Sequence, residues 1–138
     1  LDIPVVMYGL DVFYDVRVSR EQAAGLITIG GRGTAELAGR LIDYQCDRFG
    51  QTDATIGDAG AVCAVIDRVG LTTVRLPVRV ELAGAYSRGR TIVDRRGWSG
   101  DLAHDPPGRA STSVGVAMSV NADRYAALWL RTMKGSPR

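Results

Sequence analysis

Residues 58–66 read Asp58-Ala59-Gly60-Ala61-Val62-Cys63-Ala64-Val65-Ile66, a segment that is small and apolar almost throughout. Small side chains let a helix approach a sheet closely, so this segment predicts a short core helix. An acidic residue suits its start, because the first backbone N–H groups of a helix carry partial positive charge. A core helix needs a sheet to cover it, and candidate strands lie on both sides of this segment.

Upstream of this helix, residues 34–49 carry two apolar stripes at helical spacing. The stripes consist of Leu37, Leu41 and Tyr44, and of Ile42, Cys46 and Phe49. Because both faces are apolar, we expect this helix to be buried on two sides. The glycine-rich residues 29–34 before it lack the spacing of a phosphate-binding loop, so they predict a flexible turn that ends at Thr34 as the helix N-cap.

Strand candidates alternate with these helices. Residues 3–10 are a short β-branched run that predicts a buried strand, and residues 15–19 alternate as a half-exposed strand does. Ser19 and Gln22 have the spacing of a capping box, which begins a helix. Residues 72–82 and 90–95 predict a hairpin, and residues 114–120 predict a last strand before a helix capped by Asn121. This order predicts an α/β fold with a mixed, mostly parallel sheet flanked by helices, and with a β-hairpin in its C-terminal part.

Composition and charge narrow the functional classes. The chain has 138 residues, 46% of them hydrophobic and 23% charged, with a net charge of +2. These values indicate a globular chain rather than a disordered one, and without a basic stripe they argue against a nucleic-acid partner. No 18-residue apolar run and no signal peptide is present, so we expect no membrane partner. Cys46 and Cys63 are typical of buried thiols in a cytoplasmic protein.

Two residues are candidates for chemistry. His104 is the only histidine, and it lies in the irregular stretch 97–109, where no nucleophile motif accompanies it. Asp58 has the position of a helix cap. A carboxylate at the start of an almost wholly apolar helix nevertheless needs a partner, and a hard cation with oxygen ligands is one candidate. Both interpretations of Asp58 stay open on its chemistry alone.

Several blocks of the chain recur together in one enzyme family. They are residues 4–12, 57–62, 76–84, 87–96 and 116–125, and the hairpin blocks LPVRVELAG and SRGRTIVDRR are the most specific. In this order the blocks resemble the C-terminal part of the inosine-uridine preferring nucleoside hydrolases. The resemblance covers nearly all of this chain but well under half of a typical member. It implies a nucleoside hydrolase-like fold with a Rossmann-like core, in which residues 1–138 are a single C-terminal segment.

The resemblance also implies an activity. Members of this family hydrolyse the N-glycosidic bond of ribonucleosides such as inosine or uridine, giving ribose and free base, and Ca²⁺ is the implied cofactor. The calcium ion holds the ribose hydroxyls and a water molecule, and an aspartate helps to deprotonate that water. Most of the residues involved belong to an N-terminal aspartate-rich cluster and an asparagine-rich segment that are not in this sequence, so no catalytic residue is assigned. Assembly as a homo-oligomer is left open.

Two site residues follow from position in the resemblance. Asp58 is the implied calcium ligand, although Gly57 and Ala59 stand where the family has the His and Pro of a His-Asp-Pro motif. The role of that His in protonating the leaving base is therefore unfilled. The literal motif at residues 104–106 does not open an apolar helix, so we interpret it as a decoy. Tyr44 is the implied substrate-binding residue near the base, with core packing as its alternative.

Two other functions compete with nucleoside hydrolysis. One is a non-enzymatic remnant or pseudoenzyme module that binds a nucleoside, a sugar or a partner chain. The other, a small basic domain that binds nucleic acid, ranks last because the charge is nearly balanced.

Overall fold

The computed structural model describes residues 3–29, 33–96 and 112–135 of the chain. Strands and helices are interspersed in its first half and three consecutive strands precede the last helix; their bounds in chain order are as follows. They are β1 (Val6–Met7), α1 (Leu10–Phe13), β2 (Arg17–Ser19), α2 (Arg20–Thr28), α3 (Gly33–Phe49), β3 (Asp53–Thr55), α4 (Asp58–Ile66), β4 (Leu71–Val80), β5 (Thr91–Val93), β6 (Thr112–Val120) and α5 (Ala122–Lys134). A short 3₁₀ turn, Arg68–Gly70, separates α4 from β4.

The chain forms two compact units, of which the first comprises Leu1–Met7 and Thr73–Val116. Its strands belong to a four-stranded sheet in the order β1-β6-β4-β5. Strand β1 runs parallel to β6, with Val6 opposite Gly115, whereas β4 and β5 form an antiparallel hairpin with Val78 opposite Val93. The sheet is therefore mixed, and the predicted α/β class with a C-terminal hairpin is confirmed.

The second unit comprises Tyr8–Thr72 and Ala117–Arg138. Strands β2 and β3 pair antiparallel in it, with Val18 opposite Ala54. Helix α2 begins directly after β2 through the predicted capping box, in which Ser19 and Gln22 each accept the backbone N–H of the other. Apolar residues from these strands and from helices α2–α5 form one core: Val16, Val18, Ala23, Ile42, Cys46, Ala54, Cys63, Tyr125 and Ala126. Both cysteines are buried and free, as the sequence predicts.

Helix α5 is anchored to the end of α4. Its N-cap Asn121 accepts the backbone N–H of Arg124 at 3.0 Å. The ring of Tyr125 is fully buried, and its hydroxyl donates to the backbone carbonyl of Asp67 at 2.8 Å. The Arg124 guanidinium binds the Asp67 carboxylate with two hydrogen bonds, one of them 3.1 Å long. These bonds lower the pKa of Asp67 below its ordinary value.

The faces of α3 and α4 differ from the prediction. Helix α3 buries one face only: Ala35, Gly39, Ile42 and Cys46 are inside, while Leu37, Leu41 and Tyr44 are 58%, 54% and 65% exposed. Helix α4 likewise buries Gly60 and Cys63 and exposes Val62, Val65 and Ile66. The expectation that both helices lie inside a core is therefore wrong for the described part of the chain. The reason is that sequence periodicity shows which faces of a helix are apolar but not whether another element of the fold covers them.

The first strand is also shorter than predicted. Residues 3–10 form a two-residue strand, Val6–Met7, and Leu10 already begins α1. Val5 and Val6 are about half exposed, so this run is not the buried strand that its composition predicts. Across the described ranges, no helix is long and apolar enough to cross a membrane. The assignment of residues 1–138 to a single segment stays a prediction.

Candidate functional site

Asp58 is the first residue of α4, as its acidic character predicts. Its side chain is exposed, and its carboxylate makes no hydrogen bond or ion pair with any residue that the structure describes. It therefore does not cap its own helix through a side-chain bond. As far as the described residues are concerned, its oxygen lone pairs are available to a ligand.

The residue before it, Gly57, adopts a conformation that favours glycine. Its φ of 59° and ψ of −130° lie outside the regions that residues with a side chain prefer. A Cβ built there would also lie 3.2 Å from Cζ of the Phe13 ring. The position where the resemblance expects a histidine thus has a backbone that disfavours any side chain, and Gly57 fits it.

Thr55, at the end of β3, joins this turn to α1. Its hydroxyl donates to the backbone carbonyl of Phe13 at 3.0 Å, and accepts the backbone N–H of Gly57 at 3.1 Å. The next residue, Ile56, donates its N–H to the carbonyl of Val16 at 3.1 Å and so prolongs the β2–β3 pairing. Thr55 is not among the residues predicted from the sequence. The signal in the sequence is a threonine two residues before a glycine at a helix start. At this spacing a threonine hydroxyl can accept the backbone N–H of the later residue in a side-chain turn.

Tyr8 touches the first turn of α4 from the other side. A Cβ at Gly60 would lie 2.5 Å from the Tyr8 hydroxyl, so a side chain at position 60 would force the Tyr8 side chain to move. The hydroxyl donates to the carbonyl of Val12 at 3.4 Å. Burial, with a smaller contribution from Tyr125, raises the pKa of Tyr8 to about 12, so this phenol is neutral at physiological pH.

Tyr44 lies on the exposed face of α3. Its side chain is 65% exposed, which makes the core-packing alternative wrong for the described chain. Among the residues that the structure describes, no hydrogen bond or ring contact joins Tyr44 to Asp58. The structure therefore leaves Tyr44 accessible to a ligand without bringing it into contact with the Asp58 turn.

A calcium site needs more oxygen ligands than Asp58 supplies. Ca²⁺ takes about six to eight oxygen ligands, and the described residues contain no group of three or more His, Cys, Asp or Glu side chains that could hold a metal ion. The carboxylate of Asp58, which has no partner in the described part of the chain, fits the chemistry of one such ligand. The literal motif at 104–106 and half of the glycine-rich turn, residues 30–32, lie outside the described residues.

A groove of about 350 Å³ lies elsewhere in the second unit and includes neither Asp58 nor Tyr44. Its polar wall contains Arg17, whose guanidinium donates to Asp53 at 2.8 Å and to Gln51 at 2.7 Å. Side chains of the chain itself already bind the Arg17 guanidinium, so its positive charge is not available to a ligand in the groove.

Comparison with known proteins identifies relatives of the chain. The family model for inosine-uridine preferring nucleoside hydrolases matches residues 1–127. A pyrimidine-specific ribonucleoside hydrolase, RihA of Escherichia coli O8 (strain IAI1), is 34% identical over 96 residues, which are 67% of this chain and 31% of that relative. RihA of Citrobacter koseri is 33% identical with the same coverage. The matched part is thus about a third of the length of these curated relatives.

Solved structures show the same fold. An inosine-guanosine nucleoside hydrolase superimposes with a TM-score of 0.75 at 20% identity, covering 99% of this chain and 40% of that one. A plant nucleoside hydrolase has a TM-score of 0.74 at 21% identity, covering 97% and 42% of the two chains. The predicted nucleoside hydrolase-like fold is confirmed by these similarities.

Proposed function

The chain belongs to the inosine-uridine preferring nucleoside hydrolase family, and we propose that the protein hydrolyses the N-glycosidic bond of ribonucleosides to ribose and free base. The observation that carries this proposal is the family match over residues 1–127. The Asp58 carboxylate, which has no partner among the described residues, supports it, because a carboxylate oxygen can help to hold a metal ion that orients the sugar and a water.

The proposed role of Asp58 is to bind Ca²⁺. A bound calcium ion supplies positive charge that orients the ribose hydroxyls and makes a water molecule a better nucleophile. Asp58 contributes one negatively charged oxygen ligand from a helix start whose backbone is fixed by Gly57 and Thr55. The other ligands belong to the part of the family fold that the chain does not span.

Tyr44 is the proposed contact to the base. Its exposed ring is large and flat, and stacking on an aromatic ring favours a nucleobase of any kind. The leaving base needs a proton or a hydrogen bond, and the position of Gly57 supplies neither. Side chains at positions other than Gly57 therefore determine which base is preferred.

The test of this proposal is release of ribose from inosine and from uridine by the intact protein, measured with added calcium and with a chelator. We expect release that depends on calcium and that falls by at least about a hundredfold in Asp58→Asn, because one charged metal ligand is lost. Asp123→Asn is the matched control, since Asp123 is also an exposed acid in the first turn of a helix. We expect it to leave the rate unchanged.

Two results contradict the proposal. Absence of ribose release from either nucleoside refutes the activity and favours the alternative, a non-enzymatic module that binds a nucleoside, a sugar or a partner chain. Release that is indifferent to Asp58→Asn and to the chelator refutes the calcium role alone. The free, buried cysteines support a cytoplasmic site for this activity, because thiols stay reduced there.

A further inference from the structure

The connection between β4 and β5, residues 81–90, presents an exposed aromatic ring and exposed guanidinium groups on an ordered backbone. We call it the β4–β5 turn, and we propose that it is a docking surface for an acidic segment of another protein. The whole turn lies in the first compact unit. The inference does not depend on nucleoside hydrolysis, because none of these residues belongs to the proposed site.

The β4–β5 turn is longer than a hairpin needs, and its own hydrogen bonds order it. Hairpin loops usually have about two to five residues, whereas ten separate β4 from β5 here. Gly89 donates its N–H to the carbonyl of Glu81 at 2.7 Å, and Arg88 donates to that of Gly84 at 3.1 Å. The Glu81 carboxylate accepts the N–H groups of Ala83 and Gly84 at 2.7 and 3.2 Å. A surface that is ordered before binding loses less conformational entropy when a partner arrives.

The aromatic ring of the turn belongs to Tyr86, which is 99% exposed. Leu82 in the same turn and Ile92 in β5 are also more than half exposed. Burying such side chains against a partner is favourable, and tyrosine is frequent among the residues that dominate the free energy of protein–protein binding. Nucleic-acid interfaces are more polar, so the apolar neighbours favour a protein partner.

The charge of the hairpin determines the chemistry of that partner. Residues 73–96 contain six arginines but only two acids, Glu81 and Asp94, and Asp94 is already bound by Arg96 at 2.8 Å. Three of the arginines are exposed, and their guanidinium groups make no hydrogen bond or ion pair with any residue that the structure describes: Arg88, Arg90 and Arg95. Guanidinium groups bind carboxylates through paired, charge-assisted hydrogen bonds. The complementary surface is therefore acidic.

Together these features define the partner segment. It presents an apolar side chain that covers Tyr86, flanked by glutamate or aspartate side chains that reach Arg88 and Arg90. Single-stranded nucleic acid also combines negative charge with groups that stack on an aromatic ring, and an anionic membrane also attracts arginine. Both are therefore included in the test as alternatives.

The experiment measures binding of a fluorescein-labelled peptide rich in glutamate and leucine, by fluorescence anisotropy at about 0.15 M salt. We expect the double variant Arg88→Gln and Arg90→Gln to raise the dissociation constant about tenfold or more, because charge-assisted hydrogen bonds are lost. Tyr86→Ala should raise it at least about fivefold, because an aromatic anchor is lost. All these side chains are exposed, so we expect every variant to melt close to the parent protein.

The matched control is the double variant Arg40→Gln and Arg68→Gln. Both arginines are exposed in the second unit, and their replacement changes the net charge by the same amount. We expect this control to bind the peptide within about twofold of the parent protein, because charges far from a contact are screened by salt.

Four results would overturn the inference. The first is a parent protein that does not bind the peptide. The second is a control pair that weakens binding as much as the Arg88 and Arg90 pair, which would show diffuse charge attraction. The third is Tyr86→Ala that binds as tightly as the parent. The fourth is tighter binding of oligothymidine or of phosphatidylserine vesicles than of the peptide, which would identify a nucleic acid or a membrane as the partner.

Discussion

Ile42 and Tyr44 lie two residues apart on α3, and their side chains have opposite environments. Ile42 is 3% exposed in the core of the second unit, whereas Tyr44 is 65% exposed. Truncation of a buried isoleucine removes apolar contacts and leaves a cavity, while truncation of an exposed tyrosine leaves none. Variants at these two positions therefore distinguish an effect on stability from an effect on ligand binding within one helix.

We expect Ile42→Ala to lower the free energy of unfolding by about 2–5 kcal/mol. Tyr44→Ala should change it by less than about 0.5 kcal/mol, as is usual for exposed positions. If Tyr44 contacts the base, the same variant raises KM for the nucleoside with little change in kcat. Urea unfolding and steady-state kinetics check these values. A loss of stability in Tyr44→Ala as large as that in Ile42→Ala would restore the core-packing interpretation of the tyrosine.

At single residues, the sequence predicted where a residue lies in a helix better than how exposed its side chain is. The position of Asp58 at a helix start followed from its charge and from the apolar run after it, and the structure confirms it. The exposure of Tyr44 could not be predicted, because two apolar stripes on one helix look alike until their neighbours are known. Thr55 was missed because its role depends on a carbonyl of α1, 42 residues away in sequence.

The junction between α4 and α5 depends on an ion pair between elements. Asp67 follows α4 and binds Arg124 in the first turn of α5. The hydrogen bonds from Arg124 lower the pKa of Asp67 in the folded protein relative to the unfolded chain. A lowered carboxyl pKa contributes stability above its unfolded value, about 3.9, and this contribution is lost as the pH falls through the folded value.

We therefore expect Arg124→Gln to lower the melting temperature at pH 7, and the difference from the parent protein to shrink as the pH falls below about 4. Thermal melts from pH 7 to pH 2 measure this difference. The control is Arg40→Gln, which removes an exposed pair with Glu36 within α3. Its effect should be small at every pH. An Arg124→Gln difference of constant size down to pH 2 would show that Asp67 is not the titrating partner.

At the level of elements, local signals predicted where helices begin. The Ser19 capping box and the Asn121 cap both occur at the predicted positions. The run at residues 3–10 was predicted poorly, because β-branched composition does not show that α1 begins at Leu10. Strand pairing was likewise beyond local signals, since β1 pairs with a strand from the far end of the chain.

For the molecule as a whole, the exposed apolar face of α4 favours self-association in solution. This face consists of Val62, Val65 and Ile66, and Val69 in the following 3₁₀ turn is 83% exposed. Contiguous exposed apolar surface promotes association.

We expect the 138-residue chain to elute from a sizing column above its monomer mass of 14.8 kDa. The double variant Val62→Lys and Val65→Lys should shift it towards the monomer, because lysine at the patch repels a second copy. Tyr86→Lys is the control, since Tyr86 is 99% exposed in the other unit. A monomeric parent chain would contradict the expectation.

The pairing of β1 with β6 also determines when the fold can be completed during synthesis. Val6 leaves the ribosome before its partner Gly115, which follows roughly a hundred residues later. Both compact units are built from two separate stretches of the chain, so neither is complete until β6 has emerged. Closing so long a loop slows folding, because its entropy is lost before the distant contacts form. The β1 segment therefore stays without its native partner until β6 is made, and an unpaired strand edge is prone to aggregate during that interval.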